Sequence, residues 1–196
     1  MENRLDSQMR FIIEIDKVKH ILRRTRLFDG SRHENDAEHS WHLAMMALTL
    51  GEYADEEVDV GRVIKMVLVH DVVEADAGDT FLYDETGNEA KREKEKQAAE
   101  RIFGLLPVDQ KADFVSLWEE FDARQTADAR FAAALDRLEP MMQNGLTHGY
   151  AWKQHNIRKS QVVAKNRPIV EAASIALWRF AEGLLDRAVE SGDLAE

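Results

Sequence analysis

An all-α fold is the architecture this chain predicts, and three observations carry the prediction. The 196 residues contain three prolines, at 107, 140 and 168, and ten scattered glycines, too few turn signals for a succession of hairpins. Apolar residues recur at three- and four-residue spacing through most of the chain. Cysteine is absent, so neither disulfides nor thiolate-bound metal shapes the fold. The length suits one domain with a substantial core, and no repeat, low-complexity tract or linker interrupts it.

The elements follow in order. Phe11, Ile12, Ile13, Ile15, Val18, Ile21 and Leu22 predict a first helix ending near Leu27, before Asp29-Gly30-Ser31. Asn35 or Asp36 caps a second helix that turns His39, His42, Leu43, Met46 and Ala47 toward the core. Residues 57 to 75 read as one buried helix. Asp76-Ala77-Gly78-Asp79-Thr80 breaks it and opens a loop of about a dozen residues, long enough to expect a role at a site. Residues 88–105 form a charged helix with one apolar stripe (Ala98, Ile102, Phe103, Leu106), and Pro107 follows. Helical patterns resume over 109–123 and 127–144, and 145–158 is mixed. A last helix runs from about 168 to 190, with Pro168 in its first turn. Trp41, Trp118 and Trp178 lie on apolar helical faces, where packing is expected, in part at a subunit interface.

Charge narrows the function. A formal net charge of −11 opposes binding to a nucleic-acid polymer. A local cluster can still reverse the field in one cleft, and Lys17, Lys19, Arg23, Arg24, Arg26 and Arg32 precede His39 closely. By itself such a cluster reads as a solvated surface. No apolar run has the length of a membrane span, and Met-Glu-Asn-Arg-Leu-Asp carries no signal-peptide block. A cytoplasmic location is expected.

The chemistry lies in four polar residues set in apolar surroundings. His70 and Asp71 sit inside the run Val63 to Val73, His39 inside Ala37-Glu38-His39-Ser40-Trp41, and Asp136 inside Ala132 to Leu138. Buried imidazole and carboxylate are costly unless paired or bound to metal. For any one of them a hydrogen-bonded core residue is the simpler reading. Together they can close around one divalent cation, a donor set better suited to Mn, Fe, Co, Ni or Zn than to Ca. Glu74 follows Asp71 by three residues and could act as general acid or base on a water at that cation; Asp79 could approach from the loop. His42 reads as a core or surface residue rather than a partner of His39, and His148 and His155 are left unassigned.

The spacing His39 … His70-Asp71 … Asp136 resembles the signature of the HD-domain metal-dependent phosphohydrolases. The strings Glu34-Asn35-Asp36-Ala37-Glu38-His39-Ser40, His70-Asp71-Val72-Val73-Glu74, Gly78-Asp79 and Leu135-Asp136-Arg137-Leu138 bring it nearest to the branch of YfbR-like and HDDC-type 5′-deoxynucleotidases. The resemblance implies a helical bundle of the HD-domain type over 1–196, with a site-bearing core at about 15–140 and C-terminal helices at 145–190 packed on it. It implies that His39, His70, Asp71 and Asp136 hold one divalent ion (Mn, Co, Fe, Ni, Zn or Mg), that Glu74 and Asp79 are catalytic, and that Arg24 contacts phosphate. The substrate would be a small phosphate ester, a (deoxy)nucleoside monophosphate, and the assembly a homodimer. Where deoxynucleotidases of this type carry an aromatic residue that helps reject ribose, this chain has Thr25, so base and sugar preference stay open. Other phosphodiesterase or nucleoside-polyphosphate activity, a di-iron oxygenase on the same fold, and a helical interaction protein with a structural metal are the competing readings.

Overall fold

The computed structural model describes residues 3–79, 82–83 and 88–196, with backbone alone at 88–91. Helices dominate the described residues, accompanied by one antiparallel two-stranded ribbon. Helix α1 (Arg4–Glu14) leads into a 3₁₀ segment (Ile15–His20) and then strand β1 (Leu22–Arg26). The longer first helix expected up to Leu27 does not form. Ile12 and Ile13 face solvent within α1, and after Glu14 the chain tightens into the 3₁₀ segment. Beyond His20 the chain alternates instead, with Thr25 buried and Leu22 and Arg24 exposed, the period of a strand. Strand β2 (His33–Asn35) pairs with it, Leu22 opposite Asn35 and Arg26 opposite His33. Asp29-Gly30-Ser31 forms the tip of this ribbon, where Gly30 adopts φ +70°.

Helix α2 (Asp36–Leu50) starts directly from β2. Asn35 caps it, accepting from the Glu38 amide at 3.0 Å, while the Glu38 carboxylate accepts from the Asn35 amide at 3.2 Å. That reciprocal box satisfies two donors the helix start leaves open. The inner face buries His39, Leu43, Met46 and Ala47. The outer face leaves Trp41 63% exposed, so the packing expected of it does not occur within the chain.

Helix α3 (Val60–Val69) ends where a longer helix was expected, and a turn separates it from the single-turn helix α4 (Glu74–Ala77). The cause is a side chain. The His70 imidazole Nδ1–H donates to the Val67 carbonyl at 2.9 Å, the acceptor a continuing helix would offer the Asp71 amide. Tighter bonds follow, Val72 to Val69 and Glu74 to Asp71. Val69, Val72 and Val73 anchor this turn in a small apolar cluster with Phe11, Ala98, Ile102 and Phe103.

Helices α5 (Asn88–Phe103), α6 (Val108–Ala123) and α7 (Ala127–Leu146) lie close to the expected spans. Helix α7 is central: it packs on α2, α3 and α6, and its buried Ala132, Ala133 and Ala134 allow close approach. The mixed segment contains a short helix α8 (Tyr150–Gln154), held by the buried Asn144 side chain, which accepts from the Ala151 and Trp152 amides at 3.0 and 3.2 Å. The expected last helix is two, α9 (Lys159–Val170) and α10 (Ile175–Glu190). Pro168 lies near the end of α9 rather than at a start, and Ser174 caps α10 by accepting from the Leu177 amide at 3.1 Å. Both helices pack on α7, with Trp178 buried in the main core.

Replacing Asn35 by alanine should cost about 1 kcal/mol, read as a lowered urea midpoint. Gly149 adopts φ +65° and an added Cβ would run into the Asp193 carbonyl, so Gly149→Ala should lower the midpoint further. An unchanged midpoint would mean that the two backbones do not meet there.

Candidate metal centre

The four residues set in apolar runs meet where α2, the turn after α3, and α7 come together. His39 Nε2 lies 3.1 Å from Asp136 Oδ1 and 3.9 Å from Asp71 Oδ2. His70 Nε2 lies 3.1 Å from Asp71 Oδ2 and 3.7 Å from Asp136 Oδ1. Both imidazoles are thus aimed through Nε2 at the same two carboxylates, and His39, His70 and Asp136 offer donor atoms within 4.8 Å of one another.

The opposite ring nitrogens show that the cluster fits a cation. A carbonyl can only accept, so His70 Nδ1 carries the proton toward Val67, and in the neutral ring Nε2 is a lone pair; it is buried without a hydrogen-bond partner. His39 Nδ1 faces the carboxylates of Glu139 at 3.3 Å and Glu34 at 3.5 Å. Acceptors on the outer nitrogen fix the tautomer that presents the inner one to a metal. Without a cation the imidazoles must hold protons in its place. Burial opposes this, but Asp71 and Asp136 push His70 up to about 9, and His39 is likewise raised. Burial would raise Asp136 as well, yet its hydrogen bond with His39 and the nearby His70 imidazole hold it well below the usual carboxylate range.

More acidic groups surround the cluster. Glu74, 3% exposed, stands with Asp36 and Asp71, their oxygens within 4.8 Å of one another. It reaches that position across the break between α3 and α4, not along one continuous helix as its spacing suggested. Burial first, then Asp71, raises Asp36 to about 7 against the pull of Arg23. Sequence reasoning named Arg23 only within a basic cluster read as solvated and gave it no place at the site. Its Nη1 lies 2.9 Å from Asp71 Oδ2 and 3.4 Å from Asp36 Oδ1, because the strand alternation turns it inward. It missed Glu139 too, which lies one turn after Asp136 and is fully buried. Burial would raise Glu139, but the imidazoles of His39 and His42 beside it hold it at about 2. His42 therefore belongs to this network through Glu139, at 3.3 Å.

A cavity of about 200 Å³ opens beside the cluster. Asp71, Glu74 and Asp136 form its floor, and Arg24, Thr25 and Asp79 line its walls. Gly78, at φ +76°, turns the chain so that Asp79 faces inward. Of the basic residues before His39, Arg23 and Arg24 line the cavity, whereas Lys17 pairs with Glu14, Lys19 with Asp16 and Arg32 with Glu38. His148 and His155 line no part of it; the His148 side chain is 88% exposed beside Asp193.

The chain is similar to known proteins. A family model described as the HD domain matches residues 15–178. A crystal structure of a predicted metal-dependent phosphohydrolase from Magnetospirillum magnetotacticum superposes with a TM-score of 0.94 and 55% identity, covering 98% of this chain and 96% of that one. The 5′-deoxynucleotidase HDDC2 of Xenopus laevis is 31% identical over 70% of this chain and 67% of its own length. Its human counterpart is 29% identical over 70% of this chain and 66% of its own length. The matched part thus spans about two thirds of these curated relatives. With its family model covering most of the length and the paired histidine and aspartate donors gathered at one point, the chain belongs to the HD-domain family.

Proposed function

We propose that this protein is a metal-dependent phosphomonoesterase that removes the 5′-phosphate from nucleoside monophosphates, with His39, His70, Asp71 and Asp136 holding one divalent ion. The observation that carries the reading is the shared aim of two imidazole Nε2 atoms at Asp71 and Asp136, beside a cavity that also holds Glu74, Asp79 and Arg24. A divalent ion in such a place supplies water of lowered pKa and charge to offset phosphoryl oxygens. The nitrogen and oxygen donors suit Mn, Co, Fe, Ni or Zn, and Mg remains to be tried. The activity named for the curated relatives agrees with this chemistry.

The chain's own groups divide the remaining tasks. Glu74, next to Asp71, orients the attacking water and takes its proton. Asp79, across the cavity, manages the proton of the leaving alcohol. Arg24 presents a guanidinium fork to the phosphate. Thr25 is small and 8% exposed, so the wall next to Arg24 sets no bulky aromatic against a ribose 2′-hydroxyl. We read the enzyme as cytoplasmic, consistent with a chain that lacks cysteine and, among the described residues, any helix able to cross a membrane. A homodimer is supported by the outer face of α2, where Trp41, Met45 and Leu48 stay exposed one turn apart. Light scattering tests the mass directly.

A panel of deoxy- and ribonucleoside monophosphates with Mn, Co and Mg should release phosphate from both sugars. Oxygen consumption with iron and no phosphate release would favour the oxygenase reading instead. Asp71→Ala should lose both metal, by elemental analysis, and turnover. Glu74→Gln should keep the metal yet lose roughly a hundredfold or more in kcat. Wild-type kcat in Glu74→Gln would remove Glu74 from its assigned role.

A further inference from the structure

Helices α2 and α7 present metal donors in two tiers. In the first, His39 faces Asp136, with 3.1 Å between ring nitrogen and carboxylate oxygen. One turn further along both helices the pairing recurs, and His42 Nδ1 lies 3.3 Å from Glu139 Oε1. Gln143 extends that face of α7 by another turn, and Glu34 reaches in from β2. Oxygens of Glu34 and Glu139 and a ring nitrogen of His39 all lie within 4.8 Å of one another. Glu34, His42, Glu139 and Gln143 take no part in the cavity walled by Arg24. Instead Glu34, His42 and Gln143 line a separate one of about 300 Å³, together with Leu27, Phe28 and Trp41.

The oxygens of this second tier are short of donors. Glu34 Oε2, both oxygens of Glu139 and Gln143 Oε1 are buried without a hydrogen bond, and Gln143 is only 1% exposed. Such groups are costly to bury unless something answers them. The positive or ring groups beside them are three. His39 Nδ1 lies 3.3 Å from Glu139 and 3.5 Å from Glu34, His42 stands at Glu139, and Arg23 Nε is 3.9 Å from Glu34. Arg23 is shared with Asp71 and Asp36. Once His39 Nε2 serves an ion, its ring keeps a single proton on Nδ1, which satisfies one of the two carboxylates and not both. Arg32 and Glu38, which also border this cavity, are paired with each other. Two buried carboxylates, an imidazole and an amide oxygen at the end of a cavity are a donor set for a divalent cation.

We infer that Glu34, His42, Glu139 and Gln143 form a second divalent-cation site, one helical turn behind the first. It stands apart from the hydrolase reading, because none of its groups is assigned to phosphate or water and its occupancy is read by binding. A cation there ties the ribbon, α2 and α7 together at the back of His39, and so braces the ring that serves the first ion. An amide oxygen in place of a second imidazole, with Arg23 close by, makes it the weaker of the two sites. It fills in a titration and empties on dialysis, whereas the first ion stays.

The test is titration of Mn into the dialysed full chain, with free Mn followed by electron paramagnetic resonance. In the wild type a tight step and a weaker one are expected, and Asp71→Ala should keep the weaker step alone. Gln143→Leu should weaken that step about tenfold or more, in either background, and leave the tight one. His42→Phe should do the same while keeping the ring contacts with Phe28 and Trp41. Leucine at 143 removes a buried oxygen that has no partner, so the thermal midpoint without metal should hold, which separates a lost site from a lost fold. A wild type without a weaker step, or a weaker step indifferent to both substitutions, overturns the site. The His42 imidazole would then be the group that answers Glu139. Turnover is not the readout, so an inactive protein with the His42-dependent step still carries the site, and an active one without it does not.

Discussion

Two imidazole nitrogens aimed at two buried carboxylates set the terms for everything near them. Each ionised carboxylate removed from water costs several kcal/mol unless a cation or a set of donors answers it. Here the answer comes in layers. His39 and His70 face Asp71 and Asp136, Glu34 and Glu139 face the back of His39, and the Val67 carbonyl takes the back of His70. Arg23 spans Asp71 and Asp36 from the ribbon side. Each layer fixes the ring or carboxylate of the one inside it, so the donors are oriented before any ion arrives.

Packing keeps this acidic knot in place. The main core runs through α2, α3, α7, α9 and α10, while the smaller cluster of Phe11, Val69, Val72, Val73, Ile102 and Phe103 clamps the turn from the other side. The valines flanking His70 and Asp71 point one way into that cluster, and the two polar side chains point the other. Alternate use of one short segment by two environments is what places a histidine and an aspartate, adjacent in sequence, on a common point.

Much of this was legible in the residues. The helical class followed from spacing and scarce turn signals, and the odd polar residues inside apolar runs marked the four that converge. What escaped has a common cause: it depends on partners distant in the chain. Arg23 and Arg24 are indistinguishable until a strand sends them to different surroundings. Glu139 reads as a solvated helix residue until His39 and His42 are seen against it. Pro168 suits a helix start by local rules, yet α9 carries it close to its end. The ribbon was missed because its strands are short and polar.

The break after α3 carries one more implication. By taking the Val67 carbonyl, His70 acts as punctuation as well as donor, and the register of everything up to Glu74 is counted from that stop. A residue at 70 unable to donate would return the carbonyl to the Asp71 amide and let the helix wind on. Asp71 and Glu74 would then swing round the axis by about 100° for each residue gained. The aspartate, the glutamate and the histidine therefore stand or fall as one piece of backbone.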